Sequence, residues 1–167
     1  GRLREHWQHN VDIFGSASAA ADAEVISLAH RLMMSFGAEE NDFVIKIGSR
    51  NFFDQFAKKF NLSPEKTKSL REVIDRKDKI PNENFQREIK TLGVLPGMLE
   101  LSKPPADVAK VMEILSALGV TNAVFDPSIV RGFDYYTGVV FEMFDTHKDN
   151  NRAICGGGRY DNLLELF

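Results

Sequence analysis

The residues best suited to chemistry stand together at 131–136, Arg-Gly-Phe-Asp-Tyr-Tyr, between two apolar stretches at 122–130 and 137–144. A guanidinium set among Val, Ile and Phe side chains costs several kcal/mol, roughly, unless an anion meets it. Asp134 would be that anion in an internal ion pair. A ligand phosphate or carboxylate would be that anion if Arg131 belongs to a binding site. The residues alone leave the two evenly open.

Other candidates are weaker taken singly. Gln8 and Asp12 lie on the polar side of an alternating segment whose odd positions hold Trp7, Val11 and Ile13. The plain interpretation is a wet sheet face, which is normal for antiparallel sheets. Gly156-Gly157-Gly158 lacks the spacing of a Walker loop and does not fit G-x-G-x-x-G. Three consecutive glycines imply positive φ or a very close neighbour, and the expectation is a tight loop over 156–161. His6, His9, His30 and His147 show no metal-ligand spacing with Cys155 or with carboxylates, so no metal held by side chains is expected. His30 falls mid-helix, at an expected partly exposed position. There is no G-x-S-x-G elbow and no convincing Ser/His/Asp order.

The elements that must position these residues follow from periodicity. Period-two alternation predicts a strand with one polar face within residues 1–14, broken by Gly15-Ser16-Ala17-Ser18. Val25, Leu28, Ala29, Leu32 and Phe36 predict a helix over 21–36, stopped by Gly37. Residues 43–47 form a short β-branched strand. From about 50 to 100, short helical patterns alternate with polar breaks; Ser63-Pro64 is a good N-cap and first-turn pair. Pro104-Pro105 opens a helix to about 118, with Val108, Val111, Met112, Leu115 and Leu118 as its stripe. Strands are predicted over 122–130 and 137–144, a polar turn over 147–151, a returning strand at 152–155 and a helix from 162 to 167. Strands joined by a short turn argue for an antiparallel sheet with packed helices, an α+β class.

The chain's 167 residues suffice for one domain with a small insertion. Its 43% hydrophobic and 27% charged content is that of a soluble globular protein. No apolar run approaches the roughly 20 residues of a membrane span, and no signal-peptide core follows Gly1. A single cysteine, Cys155, excludes an internal disulfide and suits a reducing compartment. Net charge is −3, yet residues 50–90 hold 11 Lys/Arg against 7 Asp/Glu, leaving that stretch at +4 and the remainder at −7. The plain interpretation is a solvated helical surface.

Three segments together resemble one family, the histidyl-tRNA synthetases. Residues 1–15 (GRLREHWQHNVDIFG) resemble the latter half of class II synthetase motif 2. Residues 131–142 (RGFDYYTGVVFE) resemble the first histidine-specific motif, and 156–163 (GGGRYDNL) the second. Order and spacing agree, and the resemblance spans the chain. It implies an antiparallel β-sheet of the class II catalytic core with flanking helices, formed by residues 1–49 and 116–167, and a mostly helical insertion at 50–115. It implies activation of L-histidine with ATP, release of pyrophosphate and transfer to tRNA(His), with Mg2+ accompanying ATP. By the same resemblance Arg131 contacts the α-phosphate and the histidine carboxylate. Gln8 positions the substrate, and Asp12, Tyr135, Tyr136 and Tyr160 form the histidine pocket. Arg2 and His6 lie near ATP and the tRNA acceptor end. Asp12 is one methylene shorter than the usual glutamate, and His6 replaces a common Phe. The family's motif 1, first motif 2 arginine, motif 3 and anticodon-binding domain lie outside the sequence, so little aminoacylation is expected of the chain alone. The full-length family is homodimeric; the expected location is cytoplasmic, an organellar matrix being the alternative. Two other functions compete: a histidine-sensing regulatory subunit of ATP phosphoribosyltransferase, which tends to lose the arginine and drift in the tyrosine pair, and an inert histidine- or partner-binding fragment.

Overall fold

The computed structural model describes residues 5–77, 80–95, 97–98, 103–129, 135–147, 149–150 and 152–166. Two α-helices pack on one face of a four-stranded sheet, and three more build a separate cluster beside it. Helix α1 (Ala19–Ser35) starts at Ser18, whose hydroxyl accepts from the Ala21 amide, a side-chain cap for an otherwise orphaned donor. Strand β1 (Phe43–Ser49) alternates: Phe43, Ile45 and Ile47 are buried. Helices α2 (Arg50–Phe60), α3 (Pro64–Asp75), α4 (Asn82–Thr91) and α5 (Ala106–Ala117) precede strands β2 (Ala123–Phe125), β3 (Val139–Asp145) and β4 (Ala153–Gly158). A 3-10 turn (Leu163–Leu166) stands where a helix is expected at 162–167.

The sheet order is β2-β1-β3-β4. β1 pairs antiparallel with β3 over its whole length, β3 antiparallel with β4, and β1 parallel with the short β2. The antiparallel expectation thus holds for the three longer strands, with one parallel edge. The main core lies between sheet and helices: Ala23 and Ile26 of α1, Val108, Val111 and Leu115 of α5, and Ile45, Ile47, Phe141 and Met143 of the sheet. Phe52, Phe53 and Phe56 of α2 meet Leu70, Val73 and Ile74 of α3 and Phe85 and Ile89 of α4 in a second core. Phe125 of β2 packs partly buried against both. No helix among the described residues is long and apolar enough to cross a membrane.

Four further expectations are corrected. Residues 6–14 form no strand; every side chain is exposed, Trp7 almost fully at 99% and Phe14 at 79%. Alternation defines faces, but a strand also needs a partner for its backbone groups, and none pairs with this segment among the described residues. The strand expected over 122–130 ends at Phe125, because Asp126 Oδ1 accepts from the Ser128 amide (2.9 Å) and hydroxyl (2.5 Å), closing a side-chain turn around Pro127. Gly156–Gly158 are not a loop but the end of β4, opposite Glu142, Phe141 and Val140. His30 is buried, not partly exposed: its Nε2 lies 2.9 Å from Glu40 Oε1, and its ring packs 5.6 Å from that of Phe43.

Candidate functional site

The C-terminal end of β4 brings three separate segments together. Tyr160 follows the strand, and its hydroxyl donates to Asp12 Oδ1. Its ring meets that of Tyr135 edge-on, centroids 6.4 Å apart at 85°, and Tyr135 lies 4.6 Å from Tyr136. Tyr136 is buried against Ile129 and Val140. Burial first, then the bond to Asp12 and its charge, pushes the Tyr160 phenol up to about 12. Near neutral pH it is a neutral donor, and the Asp12 carboxylate is its acceptor.

The glycine run explains how the rings reach this place. A Cβ on Gly158 would sit 2.7 Å from Val140 Cγ1, 2.8 Å from Tyr136 Cδ1 and 3.0 Å from Tyr136 Cε1. The Tyr136 ring lies over β4 where only a hydrogen can face it. Of the two meanings of a glycine run, positive φ and close approach, the second applies here. On the other side, Arg50 at the start of α2 donates its backbone amide to Gly138 O (3.0 Å) and its Nε to Tyr136 O (3.2 Å).

Arg159, between the glycines and Tyr160, received no role from the sequence. Its side chain is only 14% exposed. Nε and Nη2 bind the two oxygens of Asp22 at 3.3 and 3.0 Å. Nη1 donates to Asp161 Oδ1 (3.0 Å) and Ser16 O (3.2 Å), and Nη2 donates also to Ser18 O (2.9 Å). Four of the five guanidinium N–H groups thus donate to acceptors, and the second Asp22 oxygen faces Nη2 as its ion-pair partner. Burial alone would lower the Arg159 pKa, but Asp22 and Asp161 outweigh it and hold the cation more firmly. Burial raises the Asp22 carboxyl even against the pull of Arg159, a sign of how far the pair is withdrawn from water. Burial also acts upward on Asp161, but bonds from Thr137 and Arg159 prevail and keep it below the ordinary value. The signal in the sequence was an arginine wedged between Gly158 and Tyr160, with acids at 22 and 161 to neutralise it.

Of the other expected site residues, Gln8 is exposed and donates to Asn10 Oδ1 within its own segment (3.0 Å). His6 is exposed. Arg2 and Arg131 lie outside the described residues, as does Asp134. Among the described residues no three His, Cys, Asp or Glu side chains are grouped to hold a metal.

Comparison with known proteins gives this arrangement its context. The family model described as "Histidyl-tRNA synthetase" matches residues 1–91 and 79–167. A histidine--tRNA ligase of Leptospira biflexa is 38% identical over 191 aligned positions, covering all of this chain and 43% of that protein. The chain therefore spans less than half the length of this curated relative. A histidyl-tRNA synthetase structure from Nostoc superposes with a TM-score of 0.73 at 24% identity, covering 89% of this chain and 42% of the other. A Bacillus halodurans structure described as an ATP phosphoribosyltransferase regulatory subunit/histidyl-tRNA synthetase gives 0.72 at 25% identity, with 90% and 45% covered. With the family model spanning the whole sequence and the fold agreeing, the chain belongs to the histidyl-tRNA synthetase family.

Proposed function

We propose that the chain is part of a histidine–tRNA ligase and that residues 8–12, 131–136 and 160 form its histidine-adenylate site. The observation that carries this reading is the meeting of Asp12, Tyr135, Tyr136 and Tyr160, from three distant segments, at one end of the sheet. An ionised carboxylate has about four lone-pair directions, so the bond from Tyr160 leaves Asp12 able to accept from an imidazole N–H. A phenol on the other ring nitrogen, from Tyr136, completes a demand for two hydrogen-bonding atoms. A side chain lacking them leaves both partners unpaired, which can discriminate by roughly 10⁴–10⁵.

In the reaction, a histidine carboxylate oxygen attacks the α-phosphorus of ATP. The bond from that phosphorus to the bridging oxygen breaks, and pyrophosphate departs. Charge builds on the non-bridging oxygens, where the Arg131 guanidinium is assigned; a fixed donor of this kind contributes about 3–4 kcal/mol. Gln8 is assigned to the substrate, and Arg2 and His6 to ATP and the acceptor end of tRNA(His). Mg2+ enters with the phosphates of ATP. Among the described residues Asp12 is a lone carboxylate beside the tyrosines, with no group of three His, Cys, Asp or Glu side chains around it, so these residues do not fit a resident ion and no step passes through one.

We assign residues 50–115 to the insertion, supported by the separate core of α2, α3 and α4; α5 packs on α1 and the sheet, which ties the end of that range to the catalytic core. Homodimerisation and a cytoplasmic location belong to the same proposal. The second reading, a histidine-sensing regulatory subunit, is favoured by the Bacillus halodurans neighbour; intact Arg131, Tyr135 and Tyr136 weigh against it. The test is histidine-dependent ATP–pyrophosphate exchange by the full polypeptide that carries this sequence. Asp12→Ala and Tyr136→Phe are expected to raise the KM for histidine, and an unchanged KM in both refutes the pocket.

A further inference from the structure

The segment bearing Gln8 and Asp12 is held in an unusual way. It joins no sheet, and its side chains are exposed. Among the described residues, the one hydrogen bond from residues 5–14 to the rest of the protein is that between Tyr160 and Asp12. Immediately after this segment, the carbonyls of Ser16 and Ser18 and the carboxylate of Asp22 all converge on Arg159. Three residues separate Asp12 from Ser16, and Gly15 turns between them with φ of 78°. Arg159 and Tyr160 are adjacent, so one dipeptide grips the segment at two points.

The other side of the grip is equally defined. The Arg159 amide donates to Val139 O (2.8 Å), and its carbonyl accepts from the Thr137 amide (2.8 Å). Asp161 takes the Thr137 hydroxyl at 2.8 Å while accepting from Arg159. The backbone carrying Arg159 is thus fixed to the strand that follows Tyr135 and Tyr136. A planar guanidinium with its donors in a rigid fork suits such a junction; a lysine ammonium, with three donors on a flexible stem, cannot reproduce it.

We infer that Arg159, with Asp22 as its counter-ion, is a positioning residue for histidine recognition: it clamps the chain after Asp12 to the backbone that leads from Tyr136 into β3 and so sets Asp12 against Tyr160. This rests on the proposal that Asp12 and Tyr160 belong to the histidine pocket. A purely structural arginine would change how much protein folds, not how well the folded fraction holds histidine. A positioning arginine changes the KM for histidine, because a shift of about 1 Å in a recognition group can cost roughly 100-fold.

The experiment is a mutant cycle in the full polypeptide that carries this sequence, read by histidine-dependent ATP–pyrophosphate exchange. Arg159→Gln is expected to raise the KM for histidine by about 10- to 100-fold, with the KM for ATP changed by less than about twofold. Combined with Asp12→Ala it should add little, because both substitutions disable the same contact. Arg159→Lys should remain impaired. Asp22→Asn keeps the side chain's shape and carries the test should Arg159→Gln fail to fold. If Asp12→Ala raises the KM while Arg159→Gln and Asp22→Asn leave it alone, or lower only kcat, the positioning role is wrong and the pocket stands. Full additivity in the double variant also overturns it. A KM unmoved by Asp12→Ala overturns the pocket itself.

Discussion

Gly158→Ala tests whether the glycine run serves the tyrosine pocket. The added methyl would lie 2.7 Å from Val140 Cγ1 and 2.8 Å from Tyr136 Cδ1, where ordinary carbon contacts need about 3.5–4.0 Å. Roughly 0.7–1.3 Å must be found on two sides at once. Neither neighbour can yield easily: Val140 is fully buried and Tyr136 is 8% exposed. Overpacking of this kind costs about 1–3 kcal/mol, and relief of glycine's backbone entropy returns about 0.5–1 kcal/mol. A net loss of up to roughly 2.5 kcal/mol corresponds to a Tm lower by up to roughly 10 °C in a chain of this size. Gly157→Ala meets a single ring edge, Phe141 Cε1 at 3.1 Å, and should cost less. Gly97→Ala faces open space and should stay within about 0.5 kcal/mol. Thermal unfolding of the three variants gives the ranking. A Gly158→Ala Tm at or above that of the parent, or above that of Gly157→Ala, refutes the close-approach explanation.

Three further outcomes are expected. In an alkaline titration followed by tyrosinate absorbance, Tyr160 should ionise near pH 12; because its folded value is raised, the stability it contributes is complete below the ordinary value of 10.0 and is lost as pH rises toward 12. Asp12→Asn should lower that midpoint without restoring 10.0, since burial is the larger cause, and an unchanged midpoint would deny the contact. Asp126 accepts from Ser128 and pairs with Lys46 at 3.0 Å; these bonds outweigh its burial and hold its carboxyl below 3.8. Its contribution is therefore present above 3.8 and lost as pH falls through the lower folded value. Asp126→Asn should cost about 1–3 kcal/mol at neutral pH, with a smaller deficit in acid; denaturant unfolding at a deficit constant across pH would contradict this. Finally, Lys58, Lys59, Lys66 and Lys68 are exposed on α2 and α3. If this basic surface touches tRNA, neutralising them reduces the salt slope of binding by up to about 0.9 per duplex phosphate contact, and an unchanged slope removes the helices from the interface.

What could be read from the sequence divides along the line between local and long-range causes. The β1 and α5 patterns lie within one element each, so Val108, Val111 and Leu115 announced a buried stripe that the fold confirms, although Leu118 at its end is exposed; in α1 the helix stands where expected but its buried face is Ala23, Ile26, Ser27 and His30, with Leu28 and Phe36 of the expected stripe exposed. The 6–14 segment has a strand's alternation without a strand, because pairing depends on a neighbour that no periodicity reveals. The glycine run misled for a related reason. Glycine is commonest in turns, and nothing near position 158 in sequence shows that the ring of Tyr136, 22 residues earlier, lies over its α-carbon. His30 was underestimated because its partner Glu40 and its stacking neighbour Phe43 come from beyond the helix. Arg159 has only its setting between Gly158 and Tyr160 to mark it in the sequence, since its partners come from 16, 18, 22 and 161.

The same distinction bears on how the candidate site keeps its shape. Strand β3 is buried on both faces where it passes the tyrosines. Val139, Phe141 and Met143 enter the main core, while Val140 faces the other way, beneath Tyr136 and beside Ile129. A strand with one wet face would leave Tyr136 free to swing; one with two packed faces gives the ring a floor that cannot retreat. Recognition groups are most exact when their rotamers are locked by packing on regular elements, and Tyr136 meets that condition through Val140 and Gly158. Asp12 does not, since it rides on a segment outside the sheet. Its accuracy depends on polar contacts from Tyr160 and Arg159, which act over hydrogen-bond distances and fail one by one when a donor is removed. Substitutions under Tyr136 should therefore reduce stability and recognition together, whereas substitutions at Arg159 should separate them.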